Sequence, residues 1–210
     1  MFDLFKNTQS GEKPAVRALT SPEELMVGDI IKFQFLPQPE LSGRQFEVAA
    51  ITTYDFEHEN YPRFALQDDK GLLIFLSVHN RQGKSVLAIS RQADRDEVDA
   101  IFTLDKFAEV FEEGSVTLTA TPYAPLASWL GSSYYKALDC RVGYLHIGDY
   151  RNQPLPEYED DSEGIDYYLL RDSSEQFAID IEIGDNDDSS VYVTVYQPLT
   201  AIAEMWPAKG

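Results

Sequence analysis

The chain has 210 residues, of which 43% are hydrophobic, and its 36 acidic against 17 basic residues give a net charge of −19. This much apolar material is enough for a packed core and excludes a disordered chain. A surface of that sign argues against ordinary binding to nucleic acid, whose phosphates attract basic proteins, and against an anionic membrane surface. It remains compatible with simple solubility, a basic protein partner or cations.

A single cysteine, Cys140, rules out an intramolecular disulfide and a cysteine-based zinc site. The first residues lack the apolar core of a signal peptide, and no window approaches the roughly eighteen apolar residues of a membrane-spanning helix. We therefore expect a cytoplasmic protein that is not integral to a membrane and holds no cofactor. Residues 1–22 are predicted to be a flexible leader, because residues 7–22 are polar and interrupted by Gly and Pro.

The next part of the chain, residues 23–102, has the pattern of a first β unit. Apolar residues alternate over 29–35 and 46–52, as in strands with one buried face. Turn residues at 67–71 and 82–84 then separate further short strands with no helix between them. The pattern predicts an antiparallel meander.

A second β unit is predicted over residues 103–210. It is expected to begin with a helix over 105–112, where apolar residues recur at helical spacing, and to contain a helical insertion over 122–138. Residues 152–163 form an acidic loop between strands. A short helix over 199–206 is expected to end the unit.

The two β regions can be aligned with each other. Three pairs of segments match at offsets of 104 or 105: residues 64–68 with 168–172, 86–90 with 191–195, and 98–102 with 202–206. The order of strands and turns is the same in both regions. We therefore predict a mainly β protein with a few short helices, built as two tandem related units, each a curved sheet or small barrel.

Within the first unit, three short motifs follow one another: Leu25-x-x-Gly28-Asp29, Phe46-x-Val48-x-x-Ile51 and Phe64-x-Leu66. Their order resembles a bacterial domain-of-unknown-function family of small, sometimes duplicated β modules. The resemblance covers residues 25–90 and implies a small β fold with an accessory binding role. The chain departs from the family pattern in the apolar strand, where Ile74 and Phe75 stand in place of a tryptophan.

Catalytic and metal-binding patterns are hard to find. The histidines His58, His79 and His146 show none of the spacings of zinc sites. Cys140 and His146 would lie about 20 Å apart along one strand, too far for a catalytic dyad, and we expect Cys140 to be a buried apolar residue. Three acids of one turn are weak candidates for cation binding: Asp185, Asp187 and Asp188. They lack the spacing of a calcium-binding loop, and a solvated acidic turn is the favoured explanation.

Aromatic residues interleaved with acids are the more suggestive feature. Rings give contact area and carboxylates pair with Arg or Lys of a basic segment. The candidates for such partner binding are Trp129, Tyr134, Tyr135, Tyr158, Glu159, Asp160 and Asp161. The alternative is that these aromatic residues pack the interface between the two halves.

The function predicted from the sequence is a non-enzymatic binding or assembly module that engages a basic protein partner. The acidic second half supports it, because residues 137–210 hold 16 acids and 4 bases, a charge of −12, against −7 for the rest. Two alternatives remain open: an inhibitor that mimics nucleic acid, and a carboxylate-based hydrolase. The oligomeric state is left open.

Overall fold

The computed structural model describes residues 17–156, 162–185 and 188–208, and this part of the chain forms eleven strands and two short α-helices. The strands are β1 (Ile30–Phe33), β2 (Gln45–Phe56), β3 (Glu59–Gln67), β4 (Leu73–Arg81), β5 (Lys84–Ala93), β6 (Thr117–Thr119), β7 (Ser133–Ile147), β8 (Ser162–Asp172), β9 (Phe177–Gly184), β10 (Ser189–Pro198) and β11 (Ile202–Trp206). The helices are α1 (Arg95–Phe102) and α2 (Leu104–Ala108). None of the described helices is long and apolar enough to cross a membrane.

All strands belong to one antiparallel sheet in the order β11-β1-β2-β3-β4-β5-β10-β9-β8-β7-β6. The sheet closes because the second half of β2 also pairs with β7, with Thr52 opposite Ile147 and Phe56 opposite Gly143. The result is a closed barrel of eight strands. Beyond it, β1 and β11 extend the sheet from the first half of β2, and β6 extends it from β7.

Both halves of the sequence contribute to this one barrel. β2–β5 come from the first half and β7–β10 from the second, and the halves join where β5 pairs with β10 and where β2 pairs with β7. The sequence predicted a separate curved sheet or barrel for each half, whereas the structure closes a single barrel from both. Long-range pairing of this kind leaves no local trace in the sequence, since hairpin patterns specify only neighbours.

The main apolar core lies on the outer face of the barrel strands. Alternate residues such as Phe64 in β3, Leu76 in β4 and Ile89 in β5 are fully buried there. β1, α1 and α2 pack over this face. α1 begins at Arg95 because the Asp94 side chain caps the helix in a reciprocal pair of hydrogen bonds with Glu97.

Two predicted helices are wrong. Residues 199–206 form a short 3-10 turn followed by β11, which pairs with β1 and places Trp206 opposite Ile30. Its pairing supplies backbone partners that β1 would otherwise lack on that edge. In the predicted insertion 122–138, the only helical part described is the 3-10 turn Ala124–Leu126, and β7 already begins at Ser133. Adjacent tyrosines at the start of β7 favour a strand over a helix.

A third helix and the acidic loop have different outcomes. The helix predicted over 105–112 is confirmed in outline as α2 followed by a 3-10 turn, Glu109–Phe111. Of the acidic loop over 152–163, residues 157–161 lie outside the described residues, as do residues 1–16 of the predicted leader.

Candidate functional site

A cavity of about 320 Å³ occupies the interior of the barrel, and all eight barrel strands line it. One residue from each strand illustrates the lining: Tyr54 (β2), Arg63 (β3), His79 (β4), Ser90 (β5), Arg141 (β7), Tyr167 (β8), Asp180 (β9) and Tyr196 (β10). We call this cavity the lumen. Its lining is polar and aromatic, in contrast to the apolar outer face of the same strands.

Alternation along each strand separates the two faces. In β9, Ile179 and Ile181 belong to the outer core. Asp180 and Glu182, which alternate with them along the strand, line the lumen. Successive side chains of a strand point to opposite faces, so the sequence I-D-I-E-I delivers its two acids into the barrel. The acids therefore face the barrel interior instead of its outer surface.

At the lumen floor, which comprises Tyr54, Arg63, Phe75, Glu182 and Tyr192, charges meet from opposite sides of the barrel. Arg63 Nη1 donates to Glu182 Oε1 at 2.7 Å and to the Tyr54 hydroxyl at 2.5 Å, and that hydroxyl donates to Glu182 Oε1 at 2.8 Å. β3 and β9 are four strands apart in either direction around the barrel. The contact therefore crosses the lumen.

The guanidinium of Arg63 also lies over two rings of the lumen floor. Its Cζ is 4.5 Å from the centroid of Phe75 and 3.9 Å from that of Tyr192. Only 9% of the Arg63 side chain and 7% of the Glu182 side chain are exposed. Cation–π contact and charged hydrogen bonds together compensate for the removal of this cation from water.

Burial shifts the pKa values of the lumen floor. It raises the pKa of the Glu182 carboxyl, although Arg63 and the Tyr54 hydroxyl oppose the rise. It also raises the pKa of the Tyr54 phenol far above its ordinary value. Tyr54 therefore stays a neutral hydroxyl that donates to the carboxylate.

The middle of the lumen holds a second set of satisfied polar groups. Asp180 accepts hydrogen bonds from the hydroxyls of Tyr167 and Thr194. His79 Nε2 lies 2.7 Å from the Ser77 hydroxyl, and its ring meets the Tyr61 ring edge-on at 4.6 Å. Burial lowers the pKa of His79, so the imidazole is neutral at pH 7.

The lumen mouth, defined here by Arg81, Tyr135, Arg171 and Glu175, lies where β4 ends beside the turn between β8 and β9. Arg81 Nη2 donates to Glu175 Oε2, and Arg171 Nη1 lies 3.7 Å from the same oxygen. The Tyr135 hydroxyl donates to Glu175 Oε1 at 2.5 Å. The Glu175 carboxylate thus contacts one phenol and two guanidinium groups. Its side chain is 37% exposed.

The backbone of Glu175 adopts an unusual conformation for a residue with a side chain. Its φ is +61°, in the left-handed region that favours glycine. This conformation lets Arg81 Nη1 reach the Glu175 carbonyl at 2.7 Å while the carboxylate meets Arg81 Nη2. The turn therefore presents both of its acceptors to one arginine of β4.

Arg171 is the least satisfied cation of the lumen. Its Nε atom is buried and has no hydrogen-bond partner among the described residues. A buried donor left without an acceptor costs roughly 1–3 kcal/mol. The phenol of Tyr196, which also lines the lumen, hydrogen-bonds to Arg171, and burial raises the pKa of this phenol to about 12. The lumen mouth thus holds a guanidinium whose hydrogen-bonding capacity is only partly used.

A further charged pair lines the lumen at Arg141. Its Nη1 lies 3.2 Å from Glu59 Oε2, and its Cζ is 4.2 Å from the centroid of the Phe56 ring. Half of the Glu59 side chain is exposed. Solvent therefore reaches this part of the lining, as it reaches the lumen mouth.

The candidates for partner binding lie in three different environments. Trp129 and Tyr134 are 0% and 1% exposed, so they belong to the core and do not form a surface for a partner. Trp129 donates to Glu40 within the protein. Tyr135 is exposed and belongs to the lumen mouth. Tyr158, Glu159, Asp160 and Asp161 lie outside the described residues.

The candidates for cation binding do not come together in the described part of the chain. Asp185 is exposed, and one of its carboxylate oxygens accepts the backbone N–H of Gly164 at 3.2 Å. Asp188 is also exposed, and Asp187 lies outside the described residues. Among those residues no group of three or more His, Cys, Asp or Glu side chains is arranged to hold a metal ion.

The expectation for Cys140 is wrong. The residue is exposed, although the sequence predicted a buried apolar position. It lies where the pairing of β7 with β8 shifts register, between Leu138 and Arg141. An irregularity of this kind re-aims side chains and overturns a prediction from alternation alone.

A second depression, of about 530 Å³, lies on the outside of the barrel near the start of β2. Its cation, Arg44, already pairs with the buried Asp68 carboxylate. Asp68 Oδ1 also accepts the N–H groups of Lys70 and Leu72 and so organises the turn between β3 and β4. These groups have a structural role, which leaves the lumen as the better candidate.

Sequence reasoning missed the lumen residues. Their polar side chains alternate with apolar ones in the way that solvent-facing residues do, and only closure of the barrel encloses them. A usable signal was the unusual placement of Arg63 and Arg171 at strand positions of an otherwise acidic chain.

Compared with known proteins, the chain matches no family model, no curated protein and no solved structure. The resemblance of residues 25–90 to a bacterial family of small β modules stays a prediction.

Proposed function

We propose that this protein is a non-enzymatic binding module whose barrel takes up a small aromatic anion. The observation that carries the proposal is the lumen itself, a cavity of about 320 Å³ inside the barrel, lined by rings and by four arginines. That volume lies at the lower end of the range for small-molecule sites, which is about 300–1,000 Å³. A small ligand fits such a cavity, whereas a folded partner does not.

The charge of the lumen favours an anion. Its lining holds four arginines and three acids, a sum of +1, within a chain of −19, so the rest of the chain carries −19 − 1 = −20. Three of these arginines, Arg63, Arg81 and Arg141, are already paired within the protein. Arg171 has an unused buried donor. An anionic group is the ligand that supplies the missing acceptor.

The walls favour a flat, unsaturated ligand. Phe56, Tyr61, Tyr167 and Tyr196 line the lumen from four different strands. Aromatic rings pair by edge-on or offset contact, and each such pair contributes about 0.5–1.5 kcal/mol beyond the area that it buries. An aromatic acid therefore combines ring contact along the walls with charge pairing at the lumen mouth.

The carboxylates of the lumen support binding over catalysis. Glu182 accepts from Arg63 and Tyr54, and Asp180 accepts from Tyr167 and Thr194. Acid–base chemistry on a substrate requires a group within hydrogen-bond reach of the reacting atom. Both carboxylates are instead committed to side chains of other strands, Asp180 to the adjacent strands and Glu182 across the lumen, which is why we favour a non-enzymatic role over a carboxylate-based hydrolase.

Titration with benzamide and benzoate, followed by NMR of the backbone amides, tests the proposal. We expect shifts to concentrate on the strands that line the lumen. Replacing the buried lumen residue Ala88 by leucine should abolish binding by filling the cavity, whereas leucine at the exposed Ala100 of α1 should leave it unchanged. Equal binding to both variants, or shifts confined to the outer surface, would overturn it.

A basic protein partner is a second proposal, supported by the charge of −20 that remains outside the lumen. Such a field steers a cationic protein and weakens as salt screens it. Capture of a polylysine peptide that persists at high salt would count against this role. An inhibitor that mimics nucleic acid is a narrower form of the same idea, and inhibition of a DNA-binding enzyme would favour it.

We also infer that the chain consists of two related halves. The sheet order supports this, because β1–β5 run along the sheet in one order and β6–β10 follow in the mirrored order. Two equivalent turns support it as well. The Asp68 side chain accepts hydrogen bonds from the backbone N–H groups of the residues two and four positions later in the chain. Asp172 does the same in the second half. The two aspartates are 104 positions apart, the offset found in the sequence.

A further inference from the structure

We infer that the lumen mouth is a carboxylate-binding subsite that the protein's own Glu175 occupies until a ligand displaces it. The inference rests on the proposed function and names the part of the site that would hold the acidic group of the ligand. Arg81 and Arg171, which both line the lumen, converge on a single oxygen of the Glu175 carboxylate. Glu175 is therefore the internal counterpart of a carboxylate ligand.

The geometry of the two arginines suits a planar monoanion. A guanidinium presents its N–H groups as a fork that matches the two oxygens of a carboxylate. Arg81 divides its fork between the carbonyl and the carboxylate of Glu175, and Arg171 approaches that carboxylate only at 3.7 Å. Neither arginine makes the paired, two-oxygen contact of which it is capable.

The buried Nε of Arg171 is an independent observation at the same place. It has no acceptor among the described residues, although Arg171 borders the lumen. Because this Nε is closed to solvent while Glu175 is in place, a ligand carboxylate meets it only after Glu175 leaves and the Arg171 side chain turns. The incoming group thus supplies an acceptor that Glu175 leaves missing.

Glu175 is also suited to leave. Its side chain is 37% exposed, and its left-handed backbone makes the turn a strained one. An ion pair with that much exposure is weak because water competes for both partners. Release of the carboxylate to solvent still leaves Arg81 bonded to the Glu175 carbonyl. The lumen mouth can therefore open without disrupting the turn.

The test compares benzoate with benzamide, which has the same shape and no charge, by NMR titration of the full chain. In Glu175→Gln, we expect benzoate to bind about fivefold more tightly than in the wild type, since a competing carboxylate is removed, with benzamide changed less than about twofold. In Arg171→Gln, we expect benzoate to lose about fivefold and benzamide to be unaffected. Thermal unfolding of each variant checks that it is folded.

Matched controls separate this subsite from the net charge and from the proposed function. Glu204→Gln on β11 removes the same charge from an exposed ion pair with Lys32 of β1, and we expect no change in the ratio of the two affinities. A ratio that is the same in the wild type, Glu175→Gln and Arg171→Gln, with both probes still bound in the lumen, overturns the subsite alone. Failure of both probes to bind any variant overturns the proposed function as well. Arg171→Lys, which keeps the charge but loses the fork, should bind benzoate with intermediate affinity.

Discussion

The lumen floor and the lumen mouth use the same residue types in opposite ways. At the lumen floor, Arg63 and Glu182 are below 10% exposed and are joined by Tyr54 and two rings. At the lumen mouth, Arg171 is 32% exposed, lies 3.7 Å from its acid and has a buried donor without a partner. Charges that are completely satisfied hold strands together, whereas charges with spare capacity are available to a ligand.

This difference predicts that Arg63 matters mainly for stability and Arg171 mainly for ligand binding. Removing a partner from a buried pair leaves an uncompensated charge in a poorly polarisable interior. Removing a partner from a half-exposed pair leaves a charge that water can solvate. Substitutions along the lumen can therefore separate structural charges from functional ones.

The largest effect is expected for Arg63→Met, which leaves Glu182 buried without its cation. We expect the free energy of unfolding to fall by about 3–5 kcal/mol, measured by urea denaturation. The double variant Arg63→Met with Glu182→Met should recover much of that loss, because no unpaired charge remains. A single variant that unfolds at the same urea concentration as the wild type would show that the lumen floor is not structural.

A smaller loss is expected for Tyr54→Phe. The substitution removes a hydroxyl that donates to the Glu182 carboxylate at 2.8 Å and accepts from Arg63 at 2.5 Å. Hydrogen bonds to charged groups contribute about 1.5–3 kcal/mol, and we expect a loss in that range by urea denaturation. Tyr135→Phe at the lumen mouth is the matched control, with a change below about 1 kcal/mol expected, since its partner Glu175 is exposed to water. Equal losses for the two variants would contradict the comparison.

The lumen shows which parts of this protein can be predicted from sequence. The hairpins were predictable, since apolar alternation and turn residues such as those at 67–71 act locally. The pair Arg63–Glu182 was not, because its members are 119 positions apart and only the pairing of β2 with β7 brings their faces together. The alternating acids of β9 look the same whether they face water or a lumen.

The wrong predictions have the same physical origin. The segments 122–138 and 199–206 have apolar residues at helical spacing, yet pairing with a neighbouring strand decides their structure. Trp129 was a candidate for partner binding because an aromatic residue near acids is compatible with a binding surface as well as with a core. In the structure it is completely buried. Burial depends on the tertiary fold, which a single sequence does not reveal for isolated residues.

His79 offers a pH-dependent test in the middle of the lumen. Burial lowers its pKa below the ordinary value of 6.5, although Asp180 and Glu59 oppose the shift. The unfolded chain therefore binds more protons than the folded one between the folded pKa and 6.5, so stability from this group is present above pH 6.5 and is lost as the pH falls through the folded pKa. We expect His79→Gln to have a flatter decline in unfolding free energy than the wild type from about pH 7.5 to about pH 5. Parallel curves for the two proteins would mean that His79 titrates normally.

The smallest effect on stability is expected for Arg171→Gln at the lumen mouth. The variant gives up a distant ion pair with Glu175 but also removes the buried Nε that has no partner. These contributions oppose each other, so the unfolding free energy should change by less than about 1 kcal/mol. The same variant should bind benzoate about fivefold more weakly, an effect that loss of a purely structural arginine would not have. A large loss of stability in Arg171→Gln would instead place this arginine with Arg63, among the charges that hold the barrel together.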